Sequence, residues 1–153
     1  MAETIYRILR REHDEARETL RQLADSTTED AQMRRDKATD MAIDLISHNE
    51  AEAQILYQRL MKFEDLREDV EEHLAEHEEA NEELRALLDM DAADEQWIES
   101  LKELKRAIEQ HIEYEEEDLF FEAKYYIEEE EAEKLAVRYE AEQSRRRGLL
   151  TAA

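Results

Sequence analysis

The chain carries five histidines, and their spacing is not that of a solvated surface. His48 precedes Glu52, His73 precedes His77, and His111 precedes Glu115, each by four residues; His13 stands alone. On a helix turning about 100° per residue, a step of four leaves two side chains about 40° apart, one turn above the other. Both members of such a pair reach the same place. Imidazole nitrogen and carboxylate oxygen are the donors a transition-metal cation takes. A single histidine on a core face is usually a hydrogen-bonded structural residue. Seven such side chains are different, because unpaired buried imidazoles and carboxylates each cost on the order of a few kcal/mol.

The donor set narrows the metal. It exceeds what one tetrahedral zinc uses, and calcium and magnesium favour oxygen shells that five imidazoles do not make. Two six-coordinate ions sharing Glu52 and Glu115 as bridges use the whole set. With an oxo or hydroxo bridge, about one of roughly twelve coordination positions is left open for a small molecule. Iron is the first candidate, with manganese or a mixed centre behind it.

Four helices must position these residues. The first, over about residues 3–24, has the stripe Ile5, Leu9, His13, Ala16, Leu20 and Leu23, and breaks at "DSTTED". The second, from 28 or 29 to about 61, carries Ala38, Met41, Leu45, His48, Glu52, Ile55 or Leu56, and Leu60. After "KFEDLRED", a third carries Val70, His73, His77, Ala80, Leu84 and Leu87. After "DMDAAD", with Asp94 as N-cap, the fourth carries Leu101, Leu104, Ile108, His111, Glu115 and Leu119. All five histidines lie on these stripes. A last helix over about 128–147 is expected to pack outside through Ala132, Leu135 and Tyr139, with a frayed tail. The expectation is all-α: an up-down-up-down antiparallel four-helix bundle (1–122) with an additional C-terminal helix and tail (123–153), in one domain.

Composition agrees. There is no proline and one glycine, Gly148, so little interrupts a helix. The absence of cysteine excludes disulfides, thiolate metal sites and cysteine catalysis. A net charge of −23, from 44 acidic and 21 basic residues, repels nucleic acid and anionic membranes. Solubility or adaptation to salt accounts for such an excess, as does a field that draws in metal cations. The N-terminal residues form no signal peptide, and no apolar run approaches the roughly 20 residues of a membrane span. A soluble, cytoplasmic protein is expected, as a monomer or weak homo-oligomer.

The single histidine followed by His-xxx-Glu, His-xxx-His and His-xxx-Glu resembles the hemerythrin-like (HHE cation-binding) domain family over about residues 5–121. "HNEAEAQILYQRL" and "HIEYEEEDLF" resemble its second and fourth ligand helices. The resemblance implies His13, His48, Glu52, His73, His77, His111 and Glu115 as ligands of a non-heme di-iron centre, with Glu52 and Glu115 bridging. Members bind or sense O₂, decompose peroxide, respond to nitric oxide, or store or sense iron. Two departures stand out: Gln58 and Phe121 replace prolines found in many members, which lets both helices run on for a turn. Some oxygen carriers of the family place the last carboxylate five residues after its histidine, which would make Glu116 the ligand instead of Glu115. Ferritin-like di-iron proteins fit less well, since they use mainly glutamates with Glu-x-x-His pairs. The expected function is O₂ or peroxide binding at an open iron position. The alternatives are a catalase-like enzyme and an iron-responsive or stress module without catalysis. Tyr57 and Tyr114 lie within one turn of the candidate ligands but are expected to point off the stripe, and with Trp97 and Phe120 they are read as packing residues.

Overall fold

The computed structural model describes residues 2–152. Among them every regular element is helical, and five long helices form an antiparallel bundle. Helix α1 is Ile5–Ala24. Helix α2 spans 31–60, as α-helical Ala31–Glu52, a π-helical turn Ala53–Tyr57 and a last α-helical turn Gln58–Leu60. Helix α3 is Glu64–Asp89. Helix α4 spans 95–123, with a second π-helical turn, Glu115–Leu119, between Glu95–Tyr114 and Phe120–Ala123. Helix α5 is Glu129–Thr151.

Local chemistry sets the boundaries. The expected break at "DSTTED" is a capped turn: Thr27 and Asp30 form a reciprocal capping box around a short 3₁₀ segment, Thr28–Asp30. Asp94 caps α4, its side chain accepting a hydrogen bond from the Gln96 backbone at 2.9 Å. Helix α3 starts earlier than "KFEDLRED" suggests: Glu64 and Asp65 complement the dipole of its first turn, and Leu66 is buried. The α2 and α4 helices run on through Gln58 and Phe121, as the missing prolines allow.

Two apolar clusters flank a polar layer. One includes Ile5, Leu9, Leu56, Leu60, Val70, Leu119 and Phe120; the other includes Leu20, Leu23, Met41, Leu84, Trp97, Leu101 and Leu104. Each such side chain contributes about 1.5–3 kcal/mol on burial, so the two clusters supply the packing energy on either side of the polar layer. Arg34 closes the far end. It is buried, lies 4.8 Å over the Trp97 ring, and donates to Ser26 Oγ (2.8 Å), the Ser26 carbonyl (3.0 Å) and the Ala92 carbonyl (2.8 Å). That ties the α1–α2 turn to the α3–α4 connection.

Helix α5 lies against α1 and α2, with Ala132, Leu135, Ala136 and Tyr139 buried. The expected frayed tail is helical to Thr151, where Arg147 pairs with Asp44 and Leu150 packs on the second cluster. Ala153 lies outside the described residues.

Candidate metal centre

Four helices deliver the polar layer. His13 comes from α1, His48 and Glu52 from α2, His73 and His77 from α3, and His111 and Glu115 from α4. Glu52 and Glu115 are completely inaccessible, and the other residues except His111 are buried. His111 is half-buried. Donor atoms of Glu52, His77, His111 and Glu115 all lie within 4.8 Å of one another, and so do those of His13, His48 and Glu115. Glu115 belongs to both groups. Its Oε1 is 3.2 Å from His13 Nε2, and its Oε2 is 3.2 Å from His111 Nε2. His77 Nε2 is 3.2 Å from Glu52 Oε1 and 2.9 Å from His111 Nε2.

His73 stands slightly apart. It groups with Glu76 and His111, its ring 5.4 Å from that of His111 and stacked on Tyr114 at 3.7 Å. Six of the seven candidate residues therefore share the carboxylate layer directly, and His73 adjoins it through His111.

The layer is electrostatically unfinished. Both oxygens of Glu52, Oε1 of Glu115 and Nδ1 of His77 are buried without a hydrogen-bond partner. Such orphans cost about 1–3 kcal/mol each, more when charged. Burial, followed by the nearby Glu115 charge, pushes the Glu52 carboxyl well above the usual range. Burial also works to raise Glu115, but the His111 and His13 rings, each with Nε2 3.2 Å from it, outweigh burial and hold that carboxyl well below the usual range. Burial and then the neighbouring His111 hold His77 far down, so it stays neutral with a free lone pair. Burial opposes charge on His111 too, yet Glu115 and Glu76 lift it to about 9. Two buried carboxylates amid facing imidazole nitrogens are what a multivalent cation would complete. The residues fit one.

The outer nitrogens of the histidines point the same way. His13 Nδ1 meets Glu116 Oε2 at 2.7 Å, His48 Nδ1 meets Glu12 Oε1 at 2.9 Å, His73 Nδ1 meets the Asp69 carbonyl at 2.6 Å, and His111 Nδ1 meets Glu76 Oε1 at 3.2 Å. In a neutral ring an acceptor at Nδ1 fixes the tautomer and leaves Nε2 as the electron-pair donor, the usual support of a metal-bound imidazole. The two alternative carboxylates, Glu115 and Glu116, are placed differently. Glu115 sits inside the layer; the Glu116 side chain is 18% exposed and is shared between His13 and Arg17.

Sequence reasoning did not find these outer partners. Glu12 and Glu76 sit on faces that read as solvated charge, Glu116 reads only as an alternative ligand, and only helix pairing brings the three to the outer ring nitrogens. Tyr57 is a correction of another kind. Expected off the stripe, it is fully buried, stacks on His77 at 4.9 Å, and donates to Glu115 Oε2 at 2.5 Å. The π turn after Glu52 rotates it inward, and it lets both Ile55 and Leu56 be buried. An equivalent turn starting at Glu115 buries Leu119 and Phe120, and Phe120 stacks on His13.

A family model described as the hemerythrin HHE cation binding domain matches residues 4–123. The chain belongs to that family. No curated protein and no solved structure matches it in a search of either. The hemerythrin match ends where α4 ends, so α5 lies beyond it. Among the described residues of this hemerythrin-like chain, no helix is long and apolar enough to cross a membrane.

Proposed function

We propose that this hemerythrin-like protein holds a non-heme di-iron centre and binds O₂ or peroxide there. The observation that carries the proposal is the orientation of four histidines: each has Nδ1 against an oxygen acceptor, which leaves Nε2 as the inner nitrogen, and Nε2 of His13 and of His111 lies 3.2 Å from Glu115 in a layer where both Glu52 oxygens lack a hydrogen bond. His13 and His48 would serve one ion and His73, His77 and His111 the other, with Glu52 and Glu115 between them. Iron, when bound, supplies electrons and an open position for a small ligand.

The chain's own residues shape what reaches that position. A cavity of about 170 Å³ runs along His13, His48, His77 and His111 to a mouth at Glu76, Glu79 and Glu83. It suits a diatomic molecule or peroxide. Glu83 is shifted up from its ordinary value, by partial burial first and then by the Glu79 and Glu103 charges, and the Glu76, Glu79 and Glu83 carboxylates make the mouth acidic. Such a mouth admits cations and neutral O₂ or H₂O₂ and opposes anions.

Tyr57 favours a second reading, peroxide decomposition. Its hydroxyl lies 3.4 Å from His77 Nε2 as well as on Glu115. Burial, with the Glu115 and Glu52 charges, keeps its pKa well above the ordinary value, so it remains a proton donor inside the layer.

Anaerobic Fe(II) loading followed by O₂ separates the readings. A visible band that forms with O₂ and disappears when it is removed supports reversible binding. Gas evolution on adding peroxide supports the enzyme. A chain that takes up no iron, and folds fully with His73 and His77 both replaced by Leu, defeats both.

A further inference from the structure

Of the outer partners that steady the histidines, one comes from outside the family-matched bundle. Tyr139 of α5 is fully buried, and its hydroxyl donates to Glu12 Oε1 and lies 3.1 Å from His48 Nδ1. Glu12 Oε1 is itself 2.9 Å from His48 Nδ1. The Tyr139 ring meets the His48 ring edge-on at 6.1 Å. Three helices thus meet in one small cluster: α1 through Glu12, α2 through His48 and α5 through Tyr139.

This arrangement differs from that at the other rings. His13, His73 and His111 each have a single Nδ1 acceptor, contributed from α1–α4. The Glu12 side chain is 22% exposed, so without a second anchor it can exchange His48 for water. Tyr139 removes that freedom. The fifth helix is held in the register this requires: Ala132, Leu135, Ala136 and Tyr139 form its buried stripe, and Arg146 and Arg147 pair with Glu50 and Asp44 of α2. A tyrosine needed only for packing would not have to place its hydroxyl on the carboxylate that orients a metal-facing histidine.

We propose that the fifth helix completes the metal centre, with Tyr139 as a positioning residue that clamps Glu12 onto His48 and so sets metal affinity at the His13–His48–Glu115 group. The inference rests on the metal-binding reading above. It makes α5 part of the site and not an appendage, and it makes the two ions unequal in their dependence on α5.

The test uses the full chain titrated with Co(II), followed by its visible absorption and by competition with a chelator. Wild type should bind two ions. Tyr139→Phe, which keeps the packing and removes the hydroxyl, should weaken one ion by about 10-fold to 100-fold, the range seen when an outer-sphere partner of a ligand is lost. The other ion should be unchanged, and the spectrum of the weakened ion should shift. Glu12→Ala, at a partly exposed position, should give the same selective loss. The double variant should add little to either, since both act on one ring. Glu12→Gln, which keeps an acceptor oxygen, should restore most of the affinity. Tyr139→Phe binding both ions as wild type does, or losing both equally, overturns the inference while metal binding stands. Wild type that binds no Co(II) or Fe(II) overturns the metal reading itself.

Discussion

Replacing Glu52 by Gln should stabilise the metal-free protein while destroying its metal affinity. Glu52 is completely buried, neither oxygen has a hydrogen bond, and it shares a site with Glu115. The metal-free chain therefore either keeps a proton on Glu52 or buries a second negative charge. An amide at this position carries no charge, and its NH₂ can donate to the neighbouring Glu115 carboxylate. Relieving an unsatisfied buried polar group contributes about 1–3 kcal/mol. For a chain of this length each kcal/mol moves the unfolding midpoint by about 2–4 °C. The sign with pH follows from the raised carboxyl. Its contribution is fully present below the unfolded carboxyl pKa and is lost as pH rises toward the folded one. The gain from Glu52→Gln should accordingly be small near pH 4 and larger at pH 7. Thermal unfolding of chelator-treated wild type and variant at both pH values measures it, and iron uptake is measured in parallel. A variant less stable than wild type at pH 7, or one that still binds two ions, would refute the reasoning.

Further outcomes follow from the same geometry. His111, lifted to about 9 by Glu115 and Glu76 against the effect of burial, gives the metal-free chain stability that is full below about pH 6.5 and is lost as pH rises through about 9. Unfolding in urea across that window should show the decline, up to about 3 kcal/mol at roughly 1.4 kcal/mol per unit, and His111→Gln should flatten it. Arg34→Ala removes three hydrogen bonds and the Trp97 stacking contact, and should cost about 2–4 kcal/mol by denaturation while leaving metal stoichiometry unchanged. Tyr57→Phe should retain both ions but alter the O₂-dependent absorption or the rate of peroxide loss, because only the proton on Glu115 Oε2 is removed.

The stripes were legible because helical periodicity is a property of one chain segment. Leu9, His13 and Ala16, or Ile108, His111 and Glu115, declare their face without reference to any neighbour. That was enough to place Glu115 ahead of Glu116 on the inward line. The π turns were not legible, since an ordinary α-helical count sends Tyr57 away from the stripe and leaves Ile55 and Leu56 as alternatives. One extra residue in the turn buries all three. The outer partners were hidden for another reason. Glu12 and Glu76 acquire meaning, and Glu116 its place behind His13, only when a second helix brings a ring nitrogen to them; a glutamate on a chain with 44 acidic residues carries little mark of its own. Tyr139 was visible as a buried-stripe residue of α5. Its hydroxyl contact depended on where that helix docks.

Iron stoichiometry tests the central claim most directly. Anaerobic titration of the chelator-treated full chain with Fe(II) should end at two ions per chain, and Glu115→Ala, which removes the carboxylate common to both groups, should abolish the pair. A wild-type chain that binds no iron, or binds two ions equally well without Glu115, would contradict the account.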